Sequence, residues 1–473
     1  MGEAVYRWKA FAFYDYRGIE TYLETMAQQG LQLEKRQWGL WKFRKAEPKY
    51  CRYEVVYTRW ENMKPSERTI QEERIAEGQW QRTAGWKEAQ IYTSTVGNPC
   101  SIAVSETARL EALHRNAGAN VQVSGILLAV VAMAVLISRV RDAMHNPVNM
   151  LSSNIELSLM LLWLAVVILS VTQVFEYRHW KIQMTELVQA GGVCPPASGV
   201  YRRVFQAQQI MVWGMALVML AAFWMDGGAR TIVLFGTMFL VLSAGFGITD
   251  IIMKKCWKSM SAGRISRGIV AGALVFSMFY WVGYVDDFLF PKNEDAELVA
   301  VGDTLYPVYD DAMLITLEEL DKVTEGAVYT QEVKEKETFL VKRILAQQAA
   351  VPYFQENVSE FSYELVDVKA GFLYNACLES CKERLSRHTV HGFLFNSDFQ
   401  SFFDDSTRTR AYNSLEIPDV GNNVTVYKLF WTEKDAAYGY LFLWPGRIVS
   451  VCMTEKADVH QLKKMAEAFS VVK

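Results

Sequence analysis

The chain has 473 residues, a formal net charge of −3 and 51% hydrophobic residues, and that length accommodates about three domains. Its mean hydropathy is close to zero, an ordinary value for a soluble protein, yet the apolar residues are concentrated between Val121 and Val285. That concentration excludes a wholly soluble chain, and the charges at Arg7, Lys9, Asp15, Arg17, Glu20 and Glu24 leave residues 1–30 without the apolar run of a cleavable signal peptide.

Residues 1–118 come first. Ile19, Tyr22, Leu23 and Met26 recur at helical spacing, which predicts an amphipathic helix over Tyr16–Gln29. Asp15 is placed to cap its start and Gly30 to stop it. Strands are predicted at Leu40–Arg44 and Tyr50–Thr58, with Glu47–Pro48–Lys49 as the turn between them. A second helix, Glu67–Glu77, precedes Gly78, Trp80, Gly85 and Trp86, then an Ala89–Thr93 strand and the turn Gly97–Asn98–Pro99. The order helix, glycine, tryptophan-bearing strand, aromatic strand thus occurs twice, and it predicts two α-β-β units in one small α+β domain.

The run Phe13–Tyr14–Asp15–Tyr16, with Glu20, Tyr22–Leu23, Met26–Ala27 and Gly30, resembles the opening signature of the bacterial domain of unknown function 2812. Trp41, Phe43 and the Tyr50–Tyr57 strand continue the resemblance, which covers about 90 of the 473 residues. The family carries Trp straight after the glycine, where this chain has Leu31. The resemblance implies a cytoplasmic domain of a Gram-positive bacterial membrane protein, often encoded near PadR-like transcriptional regulators. It carries no catalytic residues across.

Trp38, Trp41, Trp60, Trp80 and Trp86 are interleaved with Lys35, Arg36, Lys42, Arg44 and Lys45, the composition of a stacking surface for single-stranded nucleic acid. A small domain also needs large aromatics to fill its core. The expectation is therefore core tryptophans and a protein partner on the exposed sheet face, not nucleic acid.

Five apolar stretches follow in residues 119–287: Val121–Ile137, Ile155–Phe175, Ala207–Met225, Thr231–Ile248 and Gly268–Val285. Each approaches the roughly 20 residues that a helix needs to cross the hydrocarbon layer, which predicts a five-helix transmembrane bundle. The segment 176–206 carries Arg178, Lys181, Arg202 and Arg203, and the segment 254–267 carries Lys254, Lys255, Lys258, Arg264 and Arg267. The alternate segments carry only Arg139, Arg141 and Arg230. Basic loops stay inside, so the N-terminus is predicted to be cytoplasmic and the C-terminus extracytoplasmic. The end domains agree: residues 1–118 hold 18 basic and 15 acidic residues, residues 288–473 hold 19 basic and 29 acidic. Asp226, Asp250, Asp286 and Asp287 lie at or beyond the span ends, so no deep charge points to transport. Gly236, Ala244, Gly245, Gly247, Gly268, Ala271 and Gly272 let spans four and five approach closely, and Gly268 with Gly272 also offers a homo-oligomer contact. Trp224, Tyr280, Trp281 and Tyr284 are placed as interfacial anchors.

Residues 288–473 predict an extracytoplasmic α+β domain, joined to the fifth span at Asn293–Glu297. Its strands are Thr338–Arg343, Phe361–Val368, Val424–Trp431, Gly439–Leu443 and Arg447–Met453, the last two joined by a Trp444–Pro445–Gly446 turn. Its helices are Ala312–Lys322, Gly371–Leu385 and Ala457–Phe469. Cys377, Cys381, His388 and His391 have the atoms for Zn²⁺ but no common zinc spacing; packing, or a disulfide from Cys377 or Cys381 to Cys452, is the plainer reading. Asp398, Asp404 and Asp405 offer oxygen ligands for Ca²⁺, with solvated loop acids the commoner alternative. No catalytic, cofactor-binding or metal residue is assigned. The sequence therefore predicts a multi-pass protein of a bacterial plasma membrane. Its expected role is non-enzymatic signalling, regulation or scaffolding between an outer domain and a cytoplasmic protein partner, with a transporter or accessory subunit and an extracytoplasmic enzyme as the alternatives.

Overall fold

A βαββ unit occurs twice before the first long helix in the computed structural model. The structure describes residues 4–37, 40–58, 65–86, 89–197, 199–256, 297–301, 304–351, 358–388, 413–418, 420, 424–430 and 438–471. The first unit is β1 (Ala4–Trp8), α1 (Tyr16–Gln28), β2 (Leu31–Gln37) and β3 (Leu40–Lys45). The second is β4 (Arg52–Val56), α2 (Pro65–Glu77), β5 (Gln81–Trp86) and β6 (Ala89–Ser94). Each makes its own antiparallel three-stranded sheet, in the orders β1-β3-β2 and β4-β6-β5. Even the irregularities correspond: the register shifts at Leu33/Lys35 in β2 and at Arg82/Ala84 in β5.

The sequence pattern located both helices and β3, but it did not predict β2, and Tyr50–Thr58, read as closing the first unit, contains β4, the strand that opens the second; the repeat therefore begins one strand earlier than α-β-β. The short β1 escapes pattern reading because four of its five residues are exposed and no apolar alternation marks it. Asp15 does cap α1, accepting from the Gly18 N–H at 3.0 Å, and Gly30 ends the run with φ of +78°.

Then come α3 (Glu106–Leu113), a π-helical turn at His114–Gly118, and α4 (Ala119–His145), running on as one continuous helix. A short α5 (Pro147–Leu151) leads to α6 (Asn154–Gln189) and α7 (Gly199–Cys256). Among the described residues three helices are long and apolar enough to cross a membrane: Glu106–His145, Asn154–Gln189 and Gly199–Gly228. They contain the first three predicted spans. The Thr231–Ile248 stretch lies in helical backbone of α7 beyond Gly228, whose φ of 57° and ψ of −151° interrupt the helix. Gly268–Val285, with Gly268, Ala271, Gly272, Tyr280, Trp281, Tyr284, Asp286 and Asp287, lies outside the described residues.

The C-terminal domain is β-rich. A hairpin of β7 (Glu297–Val301) and β8 (Thr304–Val308) precedes a seven-stranded antiparallel sheet. Its strands are β9 (Val328–Glu337), β10 (Val341–Val351), β11 (Phe361–Val368), β12 (Asn413–Ile417), β13 (Thr425–Phe430), β14 (Tyr438–Trp444) and β15 (Arg447–Met453), in the order β12-β13-β14-β15-β11-β10-β9. Among the described residues it also has two helices, α8 (Tyr374–His388) and α9 (Val459–Ser470). Alternation along β15 sends Val449, Val451 and Met453 into a core with Leu462, Met465 and Phe469 of α9. Ile448, one residue out of phase, joins Cys377 and Cys381 of α8 in a second cluster.

Ala312–Lys322 does not form a helix; its residues make turns, and Ile315, Leu317 and Leu320 insert into the sheet core. The Gln348 side-chain oxygen accepts from the Leu317 N–H at 2.7 Å, and Asp321, with φ of 54°, ends the turn. The i, i+3 apolar spacing was real, but it served one turn rather than three. The acids Asp398, Asp404 and Asp405, and His391, lie outside the described residues.

By internal contacts the chain divides into two units, Met1–Ile137 with Leu161–Leu217, and Ser138–Met160 with Val218–Lys473.

Candidate functional site: the junction of the N-terminal domain with the helices

Within the first unit the apolar core does not close on the N-terminal domain alone. Ile19 and Leu23 of α1, Trp41 and Phe43 of β3 and Ile91 of β6 share one buried cluster with Tyr177, Trp180 and Val188 of α6 and with Cys194 beyond it.

Two polar systems fix this junction. The first joins α1, β4 and α3. Glu20, buried on α1, accepts from the Val55 N–H at 2.8 Å and is paired with the buried Arg109 guanidinium. Arg109 also donates to the Val55 carbonyl at 3.1 Å and lies 4.1 Å over the Tyr16 ring. Arg17 pairs with Glu106, and the Tyr16 hydroxyl donates to Glu106 at 3.0 Å. Glu54, next along β4, accepts from the Ser101 hydroxyl and from the Ile102 and Ala103 N–H groups at 2.9, 3.0 and 3.2 Å. The chain leading into the first long helix is thus held by two buried carboxylates. Burial pushes the Glu20 carboxyl above its usual range, and Arg109 and Arg17 oppose that push.

The second system joins the start of α1 to α6 and α7. The Tyr14 hydroxyl donates to Glu176, whose carboxylate also accepts from Gln208 at 3.2 Å. Asp15 accepts from the Ala197 N–H at 2.9 Å as well as from Gly18, so one carboxylate caps α1 and ties down the segment between α6 and α7. The Tyr14 ring packs against Trp180 at 4.7 Å, and the Phe13 ring against Tyr177 at 4.8 Å. The Tyr177 hydroxyl meets His114 Nδ1 at 3.1 Å, in the π-helical turn, and a Cβ on Gly118 would collide with it. Such π turns interrupt helices where a neighbour must be admitted, and here the neighbour is Tyr177.

These bonds and ring contacts hold the domain to the helices. Burial pushes the Tyr14 and Tyr57 hydroxyls above their ordinary range, so they donate hydrogen bonds and do not ionise. Among the described residues no group of three or more His, Cys, Asp or Glu side chains is arranged to hold a metal. Cys377, Cys381 and Cys452 are buried free thiols with no disulfide between them. Burial pushes Cys377 up to about 11 and Cys381 up to about 12, which removes them as nucleophiles. An open groove between α4 and α6, lined by Gly125, Ala129, Met133, Ser170 and Val174, holds no titratable side chain.

The predicted stacking tryptophans divide. Trp41 and Trp80 are core residues, and Trp41 donates from Nε1 to the Lys9 carbonyl at 2.7 Å. Trp86 is half-buried under the Arg36 guanidinium at 4.1 Å, while Trp38 and Trp60 lie outside the described residues. Asp15 and Glu20 stood in the sequence signature; Tyr177, Trp180 and Gly118 were not singled out. Tyr177 and Trp180 carried one available signal, two aromatics immediately beyond the second apolar stretch beside Arg178 and Lys181.

Residues 15–117 match the family described as Protein of unknown function (DUF2812). The match begins at Asp15 and ends one residue before Gly118, so the DUF2812 region contains Glu20, Glu54 and Arg109 but neither α4 nor α6. Neither a curated protein nor a solved structure matches the chain.

Proposed function

We propose that this is a multi-pass protein of a bacterial plasma membrane, with the DUF2812 domain in the cytoplasm and the β-rich domain on the other side. In this reading the helices relay or anchor rather than transport, and the role is regulatory or scaffolding rather than enzymatic. One observation carries it: each soluble part is built around the inter-helix segment that the Lys/Arg distribution assigns to its own side. The N-terminal domain takes Tyr177, Trp180 and Cys194 from the basic segment 176–206 into its core. In the other unit Val148, from the sparsely basic segment after α4, joins the Cys377–Cys381 cluster. Alternating crossings require that pairing, and flexible tethers would not produce it. Integrated cores also mean that a shift of a helix must be felt in the domain built on it.

The partner class is a cytoplasmic protein, with a PadR-like regulator the first to try. The edge strand β1 supports it by exposing Tyr6 and Trp8, since an unpaired strand edge with exposed aromatics is a ready pairing surface. Reporters fused at Met1 and Lys473 that fluoresce only in the cytoplasm are expected to give opposite signals; equal signals would remove the topology. For the relay, hydrogen exchange of the reconstituted chain over residues 9–20 and 194–203 is expected to change when Asp226 is replaced by Ala. If exchange there is indifferent to that change, only the scaffold role survives.

A further inference from the structure

Within the second unit, the turn between β9 and β10 is bonded to the start of α6. Asn154, the first residue of that helix, donates from Nδ2 to the Glu337 carbonyl at 2.8 Å. The Thr338 hydroxyl donates to the Leu151 carbonyl at 2.5 Å. These bonds hold the turn at the height where the apolar sequence of α6 begins, at Ile155. Leu340 and Val341 turn inward, into the same apolar cluster as Val148 and Leu151. Phe339, between Thr338 and Leu340, does the opposite: it is 77% exposed.

Phe372 is 84% exposed at the same end of the sheet. Val341 pairs with Val368, and the Lys369 N–H donates to the Leu340 carbonyl at 2.9 Å. Phe372 follows in the 3₁₀ turn Gly371–Leu373, whose neighbour Lys369 reaches the Glu337 carboxylate at 2.5 Å. Val140 and Met144, on the last turns of α4 in this unit, are exposed as well. Phe rings with lysines nearby, here Lys336, Lys342 and Lys369, suit the boundary between headgroups and acyl chains, the ring leaving water and the ammonium staying in it.

We propose that Phe339 and Phe372 insert into the interfacial layer of the leaflet around the start of α6, so that this end of the β-rich sheet rests on lipid. The inference rests on α6 being a membrane span. The partner is a lipid surface because the turn that carries Phe339 is bonded to the start of α6, where in that reading the helix enters the lipid.

The test uses the full chain in vesicles of phosphatidylethanolamine and phosphatidylglycerol. A photoreactive p-benzoylphenylalanine replaces, in separate variants, Phe339, Phe372, Leu164 (43% exposed on α6) and Val459 (49% exposed on α9). Illumination followed by intact-protein mass spectrometry reads covalent lipid adducts. Adducts at 339 and 372 are expected about tenfold above those at 459, approaching those at 164. Adducts at 164 with none at 339 above the 459 level overturn the inference and leave the span intact. A protein–protein product at 339 in place of lipid overturns it too, by naming a second chain as the partner. Absence of adducts at 164 removes the span itself, and the inference with it.

Discussion

The Tyr177 hydroxyl of α6 occupies the place that a Cβ on Gly118 would take. The π-helical turn and the glycine are therefore one device, a notch in the first long helix that admits a ring from the second. Gly118→Ala is expected to destabilise the protein by about 1–3 kcal/mol, the usual cost of overpacking. Paired with Tyr177→Ala, it should cost nothing further, because the obstacle is gone. Thermal unfolding of the two single variants and the double variant in detergent measures this; strictly additive losses would show that the two sites do not share the notch.

The Glu20–Arg109 pair makes a larger prediction. Removing one partner leaves a guanidinium in the interior, which costs about 3–5 kcal/mol. Glu20→Ala should therefore leave the DUF2812 region open to trypsin under conditions where the parent resists. A double change, Glu20→Leu with Arg109→Met, should be less damaging than Glu20→Ala alone, since no charge is stranded. A Glu20→Ala variant as protease-resistant as the parent would mean that the pair is not buried in solution.

Asp226 is expected to behave as a helix cap supplied by another helix. Its carboxylate accepts from the Ser153 hydroxyl at 2.7 Å, the Asn154 N–H at 3.1 Å, Asn154 Nδ2 at 2.7 Å and the Ile155 N–H at 2.9 Å. An anion at a helix N-terminus satisfies donors that have no partner within the helix. Asp226→Ala should cost about 1–3 kcal/mol, with the largest acceleration of amide exchange at residues 154–157. Uniform acceleration across the chain would contradict a local cap.

Glu360 sets a pH dependence. Burial pushes its carboxyl from 4.5 up to about 7. Between those values the folded chain keeps a proton that the unfolded chain has released, so stability falls as pH rises through the window. The contribution is complete below the ordinary carboxylate value and lost as pH passes about 7. Each pKa unit is about 1.4 kcal/mol, and residual solvent contact screens part of it, so about 1–2 kcal/mol is expected. Glu360→Gln should remove most of the slope in unfolding temperature between about pH 5 and 8. Equal slopes in both proteins would assign the pH dependence elsewhere.

Local rules made much of the fold legible. Asp15 and Gly30 bracket α1 as capping chemistry requires, and β11 and β15 occupy the residues that apolar alternation marks. The final helix starts after Asp458, which with Gln461 forms a capping box. The losses were of two kinds. Strands such as β1 and β9 have little apolar alternation because one side or one end faces solvent, so no period announces them. The junction depends on pairs far apart in sequence, Tyr14 with Glu176 and Gly118 with Tyr177, and no local pattern can join them. Nothing in the local sequence distinguishes Arg109 from the other charges ahead of the first apolar stretch; only the fold reveals that it is the counter-ion of Glu20.

The core shared by Trp41, Phe43, Tyr177 and Trp180 also dictates an order of assembly. The DUF2812 region is synthesised before α6, so the side chains that complete its interior are translated only after two apolar stretches have passed. Until then Tyr14 has no Glu176 to bond and Phe13 no ring to meet. This domain thus cannot finish folding until α6 has been made, and its completion reports that α6 is in place. An excised N-terminal fragment would expose an aromatic wound where α6 should be, so biochemistry on this domain calls for the chain through at least Tyr201.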